Sequence, residues 1–162
     1  MTPIDKLPDW CKTVDRAILI RQPRASWIAN GEVRFLDCCR PISNKHGGPV
    51  AIYAGDLPTW LHFAEPAAHP VGAIVGFARE LLCGRPEELP ARVWDCEMRG
   101  PWTVVFGERV LCESIRITWP TEAGMPFAEG DCWCWGGLQS ILPRREDVSK
   151  RRITLSGSYR SL

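Results

Sequence analysis

The chain has 162 residues, of which 45% are hydrophobic, and a formal net charge of +1. These totals predict one globular domain and give no reason from bulk charge to expect nucleic acid or a membrane as partner. No apolar run reaches the roughly 20 residues that span a bilayer, and the opening MTPIDKLPDWCK lacks the basic-then-apolar pattern of a signal peptide. We therefore expect a cytoplasmic protein with no membrane partner and with its eight cysteines reduced.

The charge is unevenly distributed along the chain. Residues 143–162 contain six basic side chains against two acidic ones, so this tail carries +4 and residues 1–142 carry −3. A basic tail can neutralise phosphates without reading sequence, although a solvated terminus is the commoner case. We divide the chain into an N-terminal lead-in (1–15), a folded domain (16–142) and a basic C-terminal tail (143–162).

The first predicted elements are a strand and a short helix. The apolar run Ile18 to Ile20 is typical of a buried strand. Pro23 to Asn30 predicts a helix, because proline suits its first turn and Gly31 suits the left-handed position after its end. On this helix, Trp27 and Ile28 are the predicted core residues.

Further strands are predicted downstream, with one more helix among them. The predicted segments are a strand over 32–38, a strand over 49–54, a helix that Asp56 caps, a strand over 71–82, an irregular insert over 84–101, a hairpin formed by 102–106 and 110–119 about Gly107, and a last strand over 131–135. Five or six strands with two short helices between the early ones predict an α+β fold arranged as a small barrel.

Several pieces of this pattern occur together in a recognisable order. A strand ending in Ile20-Arg21-Gln22-Pro23 precedes the short helix, then come Gly31-Glu32, a second strand, and Gly48 to Gly55, which reads GPVAIYAG. Over residues 16–138 this order resembles the ASCH family of PUA-like domains. The resemblance implies a small PUA-like mixed β-barrel with short helices packed on it and a cleft beside the first helix.

The resemblance also implies which chemistry to look for. Related PUA-like domains bind RNA or a base displaced from a duplex, some ASCH members hydrolyse an acyl group from modified cytidine, and others are nucleases. The family pocket has a lysine two residues after the helix-ending glycine, followed by a small polar or acidic residue and an arginine. Those positions hold Val33, Leu36 and Cys38 here. Valine and leucine can neither activate water nor carry a proton, so we expect the scaffold without the family's catalysis.

We therefore predict non-catalytic binding of RNA or of a modified nucleoside, with no catalytic residue, no metal and no cofactor. Amide side chains can read base edges, and arginines can grip phosphate or stack on a base. Trp27 or Trp60 could supply a stacking face, although packing in the core is the commoner role of tryptophan. The predicted ligand-binding residues are Gln22, Arg24, Asn30, Arg34 and Arg40.

Two other functions stay open at this point. The first is an amidohydrolase or nuclease of the ASCH type with rearranged residues, for which carboxylates and one amine are available at Glu32, Asp37, Glu80 and Lys45. The second is a protein-interaction or regulatory module, which predicts an exposed apolar patch. The oligomeric state is open as well.

The cysteine spacing is a poor match to a zinc site. Cys132 and Cys134 would point to one face of a strand, whereas the adjacent Cys38 and Cys39 would point to opposite faces. A structural zinc site wants four ligands, often in pairs separated by two to four residues. We therefore expect packing roles for the cysteines.

Overall fold

The structure is a computed structural model, and it describes residues 1–38, 48–55, 69–79, 81–93, 97–117, 129–130, 132–134 and 137–138. It is a mixed α+β fold with two sheets and few helices, which confirms the predicted class. In chain order the elements are a 3-10 turn (Ile4–Lys6), α1 (Asp9–Lys12), β1 (Arg16–Arg21), α2 (Arg24–Asn30), β2 (Phe35–Cys38), β3 (Val50–Gly55), β4 (Ala73–Ala78), β5 (Leu81–Gly84), two 3-10 turns (Pro86–Glu88 and Ala91–Val93), β6 (Trp102–Phe106), β7 (Arg109–Arg116) and β8 (Cys132–Cys134).

The larger sheet has five strands in the order β7-β4-β3-β1-β8. Strands β1 and β3 run parallel, with Ile18 opposite Ile52, and the other neighbours are antiparallel. Every residue of β3 and β4 is buried. Strands that are covered on both faces read as continuous apolar runs, and this explains why VAIYAG and AIVGFA lack polar alternation.

The smaller sheet is antiparallel, in the order β2-β6-β5. Leu36 pairs with Val104, which pairs with Cys83, and these positions face the larger sheet. The space between the two sheets and α2 is filled by the larger of two apolar clusters. Its fully buried members include Ile18, Ile20, Ile28, Leu36, Ile52 and Val104.

The N-terminal segment covers the opposite face of the larger sheet. Thr2 extends that sheet beside β7, because its N–H donates to the Leu111 carbonyl (3.0 Å) and its carbonyl accepts from the Glu113 N–H (3.0 Å). A second apolar cluster forms there between the N-terminal segment and the sheet. Its members include Leu7, Cys11, Val14, Leu19, Phe77 and Ile115.

Helix α2 packs on the larger sheet through its small and aliphatic residues. Ala25, Ile28 and Ala29 are buried, and Gly31 ends the helix with φ of 91°, as the sequence predicts. The prediction that Trp27 is a core residue is wrong, since its side chain is 39% exposed. The core face of α2 is the stripe 25, 28 and 29, and position 27 lies outside that stripe.

Two predicted connections between strands are also wrong, and the two chain segments concerned lie next to each other. The single strand predicted over 71–82 is two strands, β4 and β5, in different sheets, and the predicted hairpin is instead β6 in the smaller sheet and β7 in the larger one. Arg79 and Glu108 lie at these two crossings. The Arg79 N–H donates to the Glu108 carbonyl (2.8 Å), and the Arg79 guanidinium lies 3.2 Å from the Glu108 carboxylate.

The remaining predicted elements are confirmed or lie outside the described residues. The strands around 18–20, 32–38, 49–54 and 131–135 are present, although β2 begins only at Phe35. The helix predicted after Asp56 and the basic tail are outside the described residues. Within the described part of the chain, no helix has the length and apolar character needed to cross a membrane.

Candidate functional site

An open groove lies between α2 and the outer side of β2. It has a volume of about 330 Å³. We call it the Trp27 groove, and its lining residues are Arg24, Trp27, Glu32, Val33, Arg34, Phe35, Asp37 and Glu97.

Helix α2 presents one cation and one aromatic ring to this groove. Arg24 and Trp27 are one turn apart, and both are exposed because the opposite stripe of α2 packs in the core. Apart from Met1, Trp27 is the only exposed large hydrophobic side chain among the described residues. A tryptophan held between polar groups offers a flat apolar surface to a ligand.

Strand β2 supplies the floor of the groove. Because successive side chains of a strand point to opposite faces, Leu36 and Cys38 enter the core, whereas Phe35 and Asp37 line the groove. Phe35 is half-buried, and its exposed part belongs to the lining of the groove.

Three hydrogen bonds fix the backbone of the residues that precede β2. The Val33 N–H donates to the Trp27 carbonyl (3.1 Å), the Phe106 N–H donates to the Arg34 carbonyl (2.9 Å) and the Arg109 guanidinium donates to the Val33 carbonyl (3.2 Å). The position of Arg34 relative to Trp27 is therefore set by hydrogen bonds rather than by a free loop.

Two carboxylates of the groove have structural hydrogen bonds. Asp37 accepts from the Thr103 hydroxyl (2.9 Å) and from the Arg99 N–H (2.9 Å), which ties the segment 97–101 to β2. Glu32 accepts from the Asn30 amide (2.6 Å), while its own N–H donates to the Asn30 oxygen (3.0 Å). These contacts fix the positions of both carboxylates in the lining of the groove.

Positive charge is concentrated behind the groove. Burial lowers the pKa of Arg109, and the neighbouring charge of Arg34 lowers it further. The guanidinium stays protonated at neutral pH, as arginine does in proteins. The Arg109 guanidinium donates to the carbonyl of Val33, the residue before Arg34, so the two cations lie in one region and an anion bound nearby would offset their like charge.

The predicted ligand-binding residues are partly brought together. Arg24 and Arg34 line the Trp27 groove, and Asn30 is exposed beside it, hydrogen-bonded to the lining residue Glu32. Arg40 lies outside the described residues.

Gln22 has a different position from the other predicted residues. Its side chain is 1% exposed. Its amide nitrogen donates to the Pro70 carbonyl (2.7 Å), and its oxygen accepts from the N–H (3.1 Å) and the hydroxyl (3.0 Å) of Ser26. It therefore supports the start of α2 from inside the protein.

The sequence did not lead us to predict Phe35 as a groove residue, and it led us to place Trp27 in the core. The signal for Trp27 was present, because Ala25, Ile28 and Ala29 form an apolar stripe at helical spacing that leaves position 27 outside. The signal for Phe35 was weaker. Alternation in β2 separates Phe35 from Leu36, but either residue could have faced the core.

The described residues contain no group of three or more His, Cys, Asp or Glu side chains that could hold a metal ion. No protein-family model matches this chain, and no curated protein shows significant similarity to it.

Proposed function

We propose that the protein binds RNA or a modified nucleoside, without catalysis, and that the Trp27 groove takes the base. The observation that carries this proposal is the exposed Trp27 ring, which lines the same groove as Arg24, Arg34 and the half-buried Phe35. Aromatic rings and guanidinium planes are the groups on which unpaired bases stack.

The free energies expected for base stacking and for a single ion pair favour a ligand that contains a base over one held by charge alone. Stacking of a base on an aromatic side chain contributes about 1–3 kcal/mol. A single exposed ion pair contributes at most about 1 kcal/mol. Binding in this groove should therefore depend more on Trp27 than on either arginine alone.

The absence of catalysis is supported by the two core positions in β2. Leu36 and Cys38 stand where the resemblance to the ASCH family places a polar or acidic residue and an arginine, and their exposed fractions are 0% and 6%. Neither a carboxylate nor a cationic side chain enters the core at these two positions. The groove carboxylates Glu32 and Asp37 have the structural hydrogen bonds already described.

We also propose that the two sheets belong to a PUA-like barrel and that the protein is cytoplasmic. The first proposal is supported by the parallel β1–β3 pair at the centre of an otherwise antiparallel arrangement and by the sequence resemblance. The second is supported by the free thiols of Cys11, Cys83 and Cys112, which suit a reducing compartment.

The test is fluorescence anisotropy with labelled single-stranded RNA at two salt concentrations. We expect Trp27→Ala to weaken binding about fivefold or more, since stacking of one base contributes about 1–3 kcal/mol, and Arg24→Ala to weaken binding less and reduce its salt dependence. Arg116→Ala is the matched control, because Arg116 is exposed at the other end of β7 from Arg109. Equal affinity for the wild type and Trp27→Ala would contradict the proposal.

A protein partner is the second candidate, and the same exposed tryptophan favours it. Trp is enriched among the residues that dominate protein interfaces. A pull-down that survives nuclease treatment, and that Trp27→Ala abolishes, would support this function. Loss of the captured material on nuclease treatment would instead support RNA.

A further inference from the structure

A second, smaller groove adjoins the Trp27 groove on the outer face of the smaller sheet. It has a volume of about 160 Å³ and is lined by Arg34, Leu82, Arg92, Val93 and Val105, among others. We call it the Arg92 groove. Arg34 lines both grooves, so they are neighbours on the protein surface.

The floor of this surface is an apolar row across three strands. Phe35 of β2 pairs with Val105 of β6, and Val105 pairs with Leu82 of β5. Strands are about 4.8 Å apart, so the row extends about 10 Å from Phe35 to Leu82. Val105 in the middle of the row is 7% exposed, whereas Phe35 and Leu82 at its two ends are half-buried, so the ends offer most of the surface to a ligand.

The charges differ between the two ends. The Trp27 groove contains three carboxylates beside its two arginines. The Arg92 groove is lined by two arginines, and none of the described residues that line it is acidic. An anion is therefore favoured at the Arg92 end, where it would also offset the mutual repulsion of Arg34 and Arg109.

We propose that a single-stranded nucleic acid lies across the outer face of β2, β6 and β5, with a base on Trp27 and Phe35 and the adjoining phosphate between Arg34 and Arg92. This inference rests on the proposed function, because it assumes a base in the Trp27 groove, and it adds that the ligand is a nucleotide chain rather than a free nucleoside. Arginine suits this place, since its planar fork binds two phosphate oxygens at once.

The experiment is a displacement titration on the full chain. The reporter is a fluorescent eight-nucleotide RNA of random sequence, and the competitors are an equimolar mixture of the four ribonucleosides and an equimolar mixture of their 5′-monophosphates. A third competitor, an oligoglutamate of matched charge, tests whether any polyanion suffices. The variants are Arg92→Ala and Trp27→Ala, with Arg116→Ala as the control.

We expect the monophosphates to displace the reporter at about tenfold lower concentration than the nucleosides, as one charge-assisted phosphate contact requires. Arg92→Ala should remove that advantage and leave nucleoside binding unchanged, while Trp27→Ala should weaken both and Arg116→Ala neither. Equal potency of nucleosides and monophosphates, or an unchanged advantage in Arg92→Ala, would overturn this inference and leave the proposed function standing. Displacement by oligoglutamate as efficient as by RNA would also overturn it. If the wild type does not bind the reporter at all, the RNA-binding part of the proposed function fails, and this inference fails with it.

Discussion

The amide of Gln22 has the chemistry either to bind a base or to form hydrogen bonds inside the protein. An amide donates and accepts at once, which is why the sequence predicts that Gln22 reads a base edge. The structure uses both ends internally, on the Pro70 carbonyl and on Ser26. Nothing local in the sequence distinguishes these uses, because the partner Pro70 is 48 residues away.

Replacing Gln22 should therefore cost stability. Gln22→Met keeps the length of the side chain but leaves the Pro70 carbonyl and the Ser26 N–H without this partner. We expect the free energy of unfolding to fall by about 2–4 kcal/mol, since each buried polar group left unsatisfied costs about 1–3 kcal/mol. Urea denaturation measures the change. Asn30→Ala is the control, because that amide is exposed, and an equal loss in both variants would contradict the role given to Gln22.

The buried thiols of Cys11 and Cys112 predict a pH dependence. Burial raises the pKa of each to about 12. Glu108 adds to the shift at Cys11, and Cys11 adds to it at Cys112. In the unfolded chain these thiols ionise near the ordinary value of 9.0. Above that pH the folded state binds more protons than the unfolded state, so stability falls as pH rises toward 12.

The measurement is the free energy of unfolding between about pH 8.5 and about pH 10.5, a range that begins just below the unfolded thiol pKa of 9.0 and ends well above it. Each thiol should contribute a downward slope on the order of 1 kcal/mol per pH unit at the upper end of this range. The double variant Cys11→Ala, Cys112→Ala should be less stable at pH 8.5 but should have a shallower slope. Parallel curves for the variant and the wild type would show that these thiols do not set the dependence.

At the scale of elements, α2 and β4 approach each other closely at a glycine. A Cβ on Gly76 would lie 2.8 Å from the Ala29 Cβ and 2.8 Å from the Val110 carbonyl oxygen. Both obstacles belong to small or backbone groups that cannot rotate away. The depth at which α2 sits, and with it the position of Trp27, depends on this missing side chain.

Gly76→Ala should push α2 off the sheet. Overpacking of a core contact costs typically about 1–3 kcal/mol, and we expect a loss of that size in urea denaturation together with weaker RNA binding. The control is Gly84→Ala, where the nearest atom to the added Cβ is the flexible Leu89 side chain at 3.4 Å. If both variants had the same stability, the close approach at Gly76 would be unimportant.

Elements were easier to predict than their connections. Local cues located α2 and its Gly31 end, and apolar runs located β1 and β3, because each signal lies within a few residues. The breaks at Arg79 and Glu108 carry no comparable signal. There the chain passes from one sheet to the other, and what holds the corner is a contact between residues 29 positions apart.

At the scale of the molecule, the larger sheet is covered on both faces. The smaller sheet and α2 cover one face, and the N-terminal segment covers the other. The groove lies on the outside of the smaller sheet, so the two clusters keep its walls rigid without entering it. The sequence pattern and the family resemblance predicted ligand-binding residues close to α2, and two of them, Arg24 and Arg34, line the groove. Which side of β2 faces outward could not be predicted, because it depends on the packing of both sheets.

Residues 1–14 should therefore contribute to global stability. Leu7 is 3% exposed and packs in the cluster beneath the larger sheet, while the adjacent Lys6 is exposed. Leu7→Ala should lower the free energy of unfolding by about 2–4 kcal/mol, since it removes buried methyl groups and leaves a cavity. Lys6→Ala should change it by less than about 0.5 kcal/mol, as is usual for surface positions. Far-UV circular dichroism and tryptophan fluorescence should report the same urea midpoint in each variant, because one cooperative unit unfolds in a single transition. If the segment were a separable arm, Leu7→Ala would move the midpoint no more than Lys6→Ala.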